Sequence, residues 1–326
     1  MNKRIYISLI CTILLFITLI IFLLQKNFSL SEDRIFEITE GSSVVSIVKQ
    51  LQSQNIINYS LPYIILLKVE SNLFGNLDFK SGEYLILKND NLLTLKHKFQ
   101  KHDVYLRKIT FIEGNTTAEF LRAIDKSPYL SGNISLTPKE GYLFPDTYYF
   151  EKNTARDDLI KIMQNKTTSL LNDFSHKYQT NISLKSKEEV LIMASIIEKE
   201  TGKNSERSQI SGVFYNRLAK RMRLQTDPTV IYAVTKGKYK LERPLSKRDL
   251  NSKSAYNTYR IQGLPPTPIS NPGYQALYSA FNPEKTDYLY FVSNGKGGHN
   301  FSKNLKEHNQ NVALLRRIEK AKRNAK

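Results

Sequence analysis

The chain has 326 residues, of which 40% are hydrophobic and 24% charged; that excludes wholesale disorder and leaves room for two or so domains. A formal net charge of +18 points to a polyanionic surface or polymer, and the single cysteine, Cys11, excludes an intramolecular disulfide and a cysteine-built metal site. Zinc-ligand spacing, a Walker loop and a glycine-rich dinucleotide turn are all missing from the sequence, so neither metal nor cofactor is expected.

The run "IYISLICTILLFITLIIFLL", Ile5–Leu24, carries no charge. At about 1.5 Å per residue it would span the ~30 Å hydrocarbon core of a bilayer. Lys3 and Arg4 in the tail 1–4 favour a cytoplasmic N-terminus, and "QKNFSLSED" offers no small-x-small cleavage site. The expectation is an uncleaved single-pass signal anchor in the cytoplasmic membrane, with the rest of the chain outside the cytoplasm. That placement argues against nucleic acid as the polyanion.

Residues 34–105 read as a small α/β unit. "RIFEIT" alternates like a strand, and Ser42 or Ser43 could cap a helix with Val44, Ile47, Val48 and Leu51 on one face. "SLPYIILLKVES" is a second apolar helix with Pro62 near its start, and "FKSGEYLIL" closes the unit as turn and strand. This βααβ order resembles the LysM-type carbohydrate-binding fold; a plain packing or spacer module is the alternative. Residues 106–185 form a connecting α/β segment with a strand, a capped helix "NTTAEFLRAI" and the aromatic block "GYLFPDTYY". Tyr142, Phe144, Tyr148 and Tyr149 could make a wall for sugar rings or could be ordinary core.

The segment 186–326 carries the candidate chemistry. Ser186 and Glu189 form an S-x-x-E capping box for a helix running to about Glu200, with Gly202 placed just beyond its end. Residues 190–197 are apolar or small all round, so this helix should be buried. A second helix starts near Asn204. Asp227 before Pro228 reads as an N-cap followed by proline at the first helical position. "RIQGLPPTPISNPG" is a proline-stiffened loop, and "DYLYFVSNGKGGHNFS" a hairpin around a glycine-rich turn. A final helix carries His308.

A carboxyl at the C-terminal end of a buried helix meets two effects of one sign. The helix dipole and the loss of water both disfavour its ionised form. A carboxyl still protonated near neutral pH is what general acid catalysis of glycosidic cleavage needs. Glu200 is therefore the candidate acid, with Glu198 as runner-up; the bland alternative is an ion pair with Arg207, Arg217, Arg221 or Arg223.

The blocks "MASIIEKET", "RLQTDPTVIY", "SAYNTY", "GLPPTPISNPG" and "YLYFVSNGKGGHNF", in this order, resemble the bacterial membrane-anchored endolytic murein transglycosylases, the MltG or YceG-like family. The resemblance covers essentially the whole chain. It implies an α+β protein with an N-terminal transmembrane helix, a LysM-like subdomain and a mixed α+β catalytic domain. It implies endolytic cleavage of the MurNAc–GlcNAc β-1,4 bond in nascent peptidoglycan strands, leaving 1,6-anhydro-MurNAc ends and limiting strand length, with wall synthases as functional partners. It places the catalytic glutamate at the second Glu of "IIEKET", Glu200. Gln225, Asp227, Asn257, Tyr259 and His299 are the substrate-binding candidates from the same blocks. A non-catalytic anchored scaffold, and a true muramidase using Glu200 with Asp227, are the competing functions.

Overall fold

The computed structural model describes residues 3–26, 28, 30–75, 77–178 and 183–324; inside the first helix the side chains of residues 3–5, 16, 17, 20, 21 and 23 also lie outside the description. The chain divides into two compact units, residues 1–108 with 149–153, and residues 109–148 with 154–326.

Unit 1 begins with helix α1, Lys3–Gln25. Among the described residues no helix is long and apolar enough to cross a membrane. This corrects the expected transmembrane anchor over Ile5–Leu24. A bilayer asks for about 20 consecutive apolar residues. Of the expected cytoplasmic tail 1–4, Met1 and Asn2 lie outside the described residues.

Strand β1 (Arg34–Ile38) pairs antiparallel with β2 (Gly82–Ile86) in the register Phe36↔Tyr84. Between them lie α2 (Val44–Ser53), capped by the Ser43 hydroxyl on Ser46 N, and α3 (Ser60–Phe74). Helix α4 (Leu92–Lys101) follows, opened by an Asn91–Thr94 capping box. Phe36, Ile38, Tyr84 and Ile86 point to one face of this two-stranded sheet, as a period of two requires, and pack with Ile47, Leu51, Leu95 and Phe99 in one core. The buried acids of this unit are matched by cations. Glu83 receives two bonds from Arg107 at 2.8 and 2.9 Å, and Asp90 receives Lys98 at 2.6 Å.

The boundary between the units falls within β3 (Arg107–Thr110) and β5 (Thr147–Phe150). In unit 2, α5 (Thr117–Asp125) carries a Thr116–Glu119 capping box, and β4 (Leu130–Ser131) lies parallel to β6 (Thr154–Ala155). Helices α6 (Arg156–Tyr178), α7 (Lys187–Glu200), α8 (Asn204–Ala219), α9 (Asp227–Thr235), α10 (Lys247–Leu250) and α11 (Tyr274–Phe281) come next. The antiparallel hairpin β7 (Tyr290–Ser293) and β8 (His299–Ser302) and the last helix α12 (Leu305–Asn324) end the unit. The mixed α+β class is as expected.

Helix α7 is the axis of unit 2. Val190 to Ile197 are all buried, and α6, α8, α9 and α11 pack around them. The proline loop is a strap over this helix: Ile269 N donates to Ser195 Oγ at 3.0 Å, and Ser270 Oγ donates to Ser195 O at 3.2 Å. Asn271 ties the strap to α5, since its Oδ1 accepts Leu143 N at 3.0 Å and its Nδ2 donates to Asn115 O at 3.1 Å. Gly212 lets the strand-like segment after α11 pass close to α8; a Cβ there would lie 2.3 Å from Glu284 O. The aromatic wall is not built, because Phe144 and Tyr148 are buried in the core and Tyr142 donates its hydroxyl to Glu188 at 2.9 Å.

Candidate active site

The end of α7 sets two glutamates two residues apart, about 200° around the helix, so they face different surroundings. Glu198 turns to α8 and accepts both terminal nitrogens of Arg207 at 2.8 Å, with Gly273 N donating at 3.0 Å. Both partners of this pair are about 95% shielded, with side chains 5% and 4% exposed. Glu198 is thus spent on holding α7, α8 and the strap together.

Among the described residues Glu200 has no such cation. Its carboxyl accepts a hydrogen bond from the Thr226 hydroxyl. Removal from water is the largest influence and raises its proton affinity above the ordinary carboxylate range. The Thr226 bond opposes this, Asp227 adds to it, and His299 and Arg217 oppose it more weakly. Arg217 itself makes no carboxylate bond here. Its Nε donates to Leu289 O at 2.6 Å and its Nη1 to Leu224 O at 2.7 Å, and the guanidinium lies 5.2 Å from the Tyr290 ring centre. Burial lowers its own proton affinity.

A threonine cluster fixes the partner of Glu200. Thr226, Thr229 and Thr258 are buried. Thr226 N donates to Thr258 Oγ1 at 3.0 Å, and the hydroxyls of Thr229 and Thr258 are 2.8 Å apart. Thr226, not Asp227, is the N-cap of α9; Asp227 is the first helical residue and is exposed. Its carboxylate accepts the Tyr259 hydroxyl at 2.6 Å, and burial with this bond pushes that phenol up. Gly202 does not supply a left-handed helix end either. Thr201 leaves α7 in an extended conformation, and its hydroxyl accepts Lys203 N at 3.0 Å.

The other candidates separate. Gln225 sits exposed next to Thr226, in a left-handed backbone conformation at φ 48°. Asn257 is fully buried: its Nδ2 donates to Leu250 O and Ser252 O at 2.9 Å, and its Oδ1 accepts Tyr259 N. It shapes the loop that presents Tyr259. His299 opens β8, edge-on to Phe291, and its Nδ1 lies 2.8 Å from Glu206 Oε2 while its own backbone N donates to Glu206 Oε1 at 3.3 Å. His308 stacks on Tyr290 at 5.1 Å, away from any such carboxylate bond. Thr226 and Glu206 were not foreseen as site residues, and Arg217 was expected only as a possible ion-pair partner of the glutamates. Thr226 carried a signal, a capping residue directly before Asp-Pro; Glu206 carried none. Among the described residues no cluster of His, Cys, Asp and Glu could hold a metal ion.

A partly buried carboxyl held protonated can give a proton to a leaving oxygen and take one back. The polar rim of Asp227, Tyr259 and His299 can orient a polyhydroxylated ligand beside it. The YceG-like family matches residues 36–314 of the chain. A Bacillus subtilis (strain 168) protein named endolytic murein transglycosylase is 35% identical over 306 residues, covering 84% of this chain and 82% of that protein. One of the same name from Streptococcus pneumoniae (strain D39) is 30% identical over 85% of this chain, which spans 57% of that longer protein. A crystal structure of a YceG-like protein from Listeria monocytogenes is 34% identical, with a TM-score of 0.51 over 86% of this chain and 99% of that one. On these matches the chain belongs to the YceG-like family.

Proposed function

We infer that the chain is an endolytic murein transglycosylase with Glu200 as its acid and base. The reading is supported by the names of the relatives and carried by one observation: at the end of α7 the cation goes to Glu198, and Glu200 is left with a hydroxyl. In the proposed reaction the Glu200 carboxyl protonates the oxygen linking MurNAc C1 to the next GlcNAc. The C1–O bond breaks and positive charge spreads over C1 and the ring oxygen. The 6-hydroxyl oxygen of the same MurNAc then attacks C1, and its proton returns to Glu200. No water is consumed and the new end is a 1,6-anhydro ring. One carboxyl serves both steps, which suits a site where the second acid, Asp227, is exposed and tied to Tyr259.

The substrate places this activity outside the cytoplasm, and cutting a strand while it grows would set its length, with wall synthases as functional partners. The strand–helix–helix–strand of unit 1 is read as a LysM-like module holding glycan. A muramidase reading keeps one support: Asp227 is close enough to Glu200 to raise its proton affinity, as the second carboxylate of a hydrolase would. Digestion of purified sacculi followed by mass analysis decides. Ends lighter than reducing ends by one water support the transglycosylase; reducing ends support the hydrolase; uncut glycan leaves a binding protein.

A further inference from the structure

The chemistry above leaves unused a cavity of about 500 Å³ in unit 2, between α5, the end of α7 and the outer face of α9. Pro228, Ile231 and Tyr232 line it, a spacing of three and four that presents one side of α9. Tyr239, 56% exposed, stands on the segment after α9, and Ile231 is 38% exposed, so the cavity has an open apolar floor. Its cations are Lys199 and Lys240. Lys199 Nζ donates to a neutral partner, Gly114 O, at 3.1 Å. Among the described residues neither lysine has an ion-pair partner.

The nearby acids are already engaged. Glu119 Oε2 accepts Thr116 N at 2.7 Å, Glu140 Oε1 accepts Thr117 N at 2.7 Å, and Glu140 Oε2 accepts the Tyr232 hydroxyl at 3.1 Å. Both sit at the start of α5, where the helix dipole offsets their charge. The cavity therefore offers an apolar floor plus two lysines with which, among the described residues, no carboxylate forms an ion pair. It also adjoins the reacting group in the chain: Lys199 precedes Glu200, and Pro228 follows Asp227.

The sugars of a murein strand are neutral; its carboxylates are on the short peptides borne by each muramic acid. We propose that the cavity along α9 is a subsite for this stem peptide, with Lys199 and Lys240 receiving its carboxylates and Ile231, Tyr232 and Tyr239 its aliphatic parts. The lengths agree. From Pro228 to Thr235 α9 rises about 10 Å, and an extended peptide covers that in about three residues. The proposal rests on the murein reading above.

The test compares uncross-linked strands bearing peptides with the same strands stripped by an amidase, using the full chain, Lys240→Glu and Tyr239→Ser. Both substituted residues are exposed, and thermal melts check that folding is kept. The unsubstituted chain should cleave peptide-bearing strands with the higher kcat/KM. In Lys240→Glu the ratio of the two kcat/KM values should fall about 2- to 5-fold, the size of one exposed charge contact, mostly through KM. Equal cleavage of the two strands by the unsubstituted chain, or an unchanged ratio in both variants, overturns the subsite and leaves the activity standing. Cleavage of neither strand overturns the activity and the subsite with it.

Discussion

The two units treat a buried acid differently. In unit 1, Glu83 and Asp90 each meet a cation, Arg107 and Lys98. In unit 2 the end of α7 divides the two treatments within one turn: Glu198 takes Arg207, and Glu200 takes Thr226. An acid with a matched cation stays ionised and holds elements together. An acid shielded from water with only a hydroxyl holds its proton more tightly than an exposed one, and ionising it in the fold costs stability. The difference divides the helix end: Glu198 is spent on an ion pair, and Glu200, the acid of the proposed reaction, is not.

The sharpest way to break this comparison is to exchange the two carboxyls for amides. Glu200→Gln should lower turnover by about 10²–10⁴-fold, the contribution of general acid–base catalysis, with release of anhydro-muropeptides as the readout. Its stability should not fall. A carboxyl with raised proton affinity in the fold binds more protons folded than unfolded. Its stability contribution therefore becomes less favourable as pH climbs past the unfolded value of about 4.3. The variant should gain over the unsubstituted chain at pH 7, and the gain should vanish near pH 3. Glu198→Gln should do the reverse: a loss of about 3–5 kcal/mol from stranding Arg207, with substantial activity in the folded fraction. Chemical unfolding measures this, and Arg207→Met added to Glu198→Gln should recover part of the loss. Glu83→Gln in unit 1 should resemble Glu198→Gln and not Glu200→Gln.

Smaller effects sharpen the rim. Asp227→Asn should lower turnover about tenfold, the size of one hydrogen bond to a charged group, with the melting temperature nearly unchanged. A large loss of stability with normal turnover would return Asp227 to a purely structural role. Glu206→Gln weakens the hold on His299 and should lower kcat/KM about 2- to 10-fold, the size of one hydrogen bond. In a His299→Ala background the same change should add little, because Glu206 acts through the ring.

Local signals carried the elements well and the site less evenly. Ser186 capping α7 and the hairpin 290–302 follow from capping chemistry and period-two alternation. The apolar run 190–197 foretold a buried helix because no face of it is polar. What local patterns cannot hold is pairing at a distance. Arg217 bonded to Leu289 O and Glu206 to His299 are contacts between segments, and nothing in their own neighbourhoods marks them. Asp-Pro fits a cap, yet Asp227 is the first helical residue; Thr226 holds the extended cap position while its hydroxyl goes to Glu200 and not to the helix. The aromatic block was ambiguous in sequence, and the need to fill a core claimed Phe144 and Tyr148.

The central claim is that Glu200 holds its proton because burial is not balanced by a cation. Titration of carbon-13-labelled glutamate side chains by NMR tests it, with Glu200→Gln identifying the resonance. The account predicts that the missing resonance titrates above the ordinary glutamate value of about 4.3; a midpoint at or below that value would contradict it.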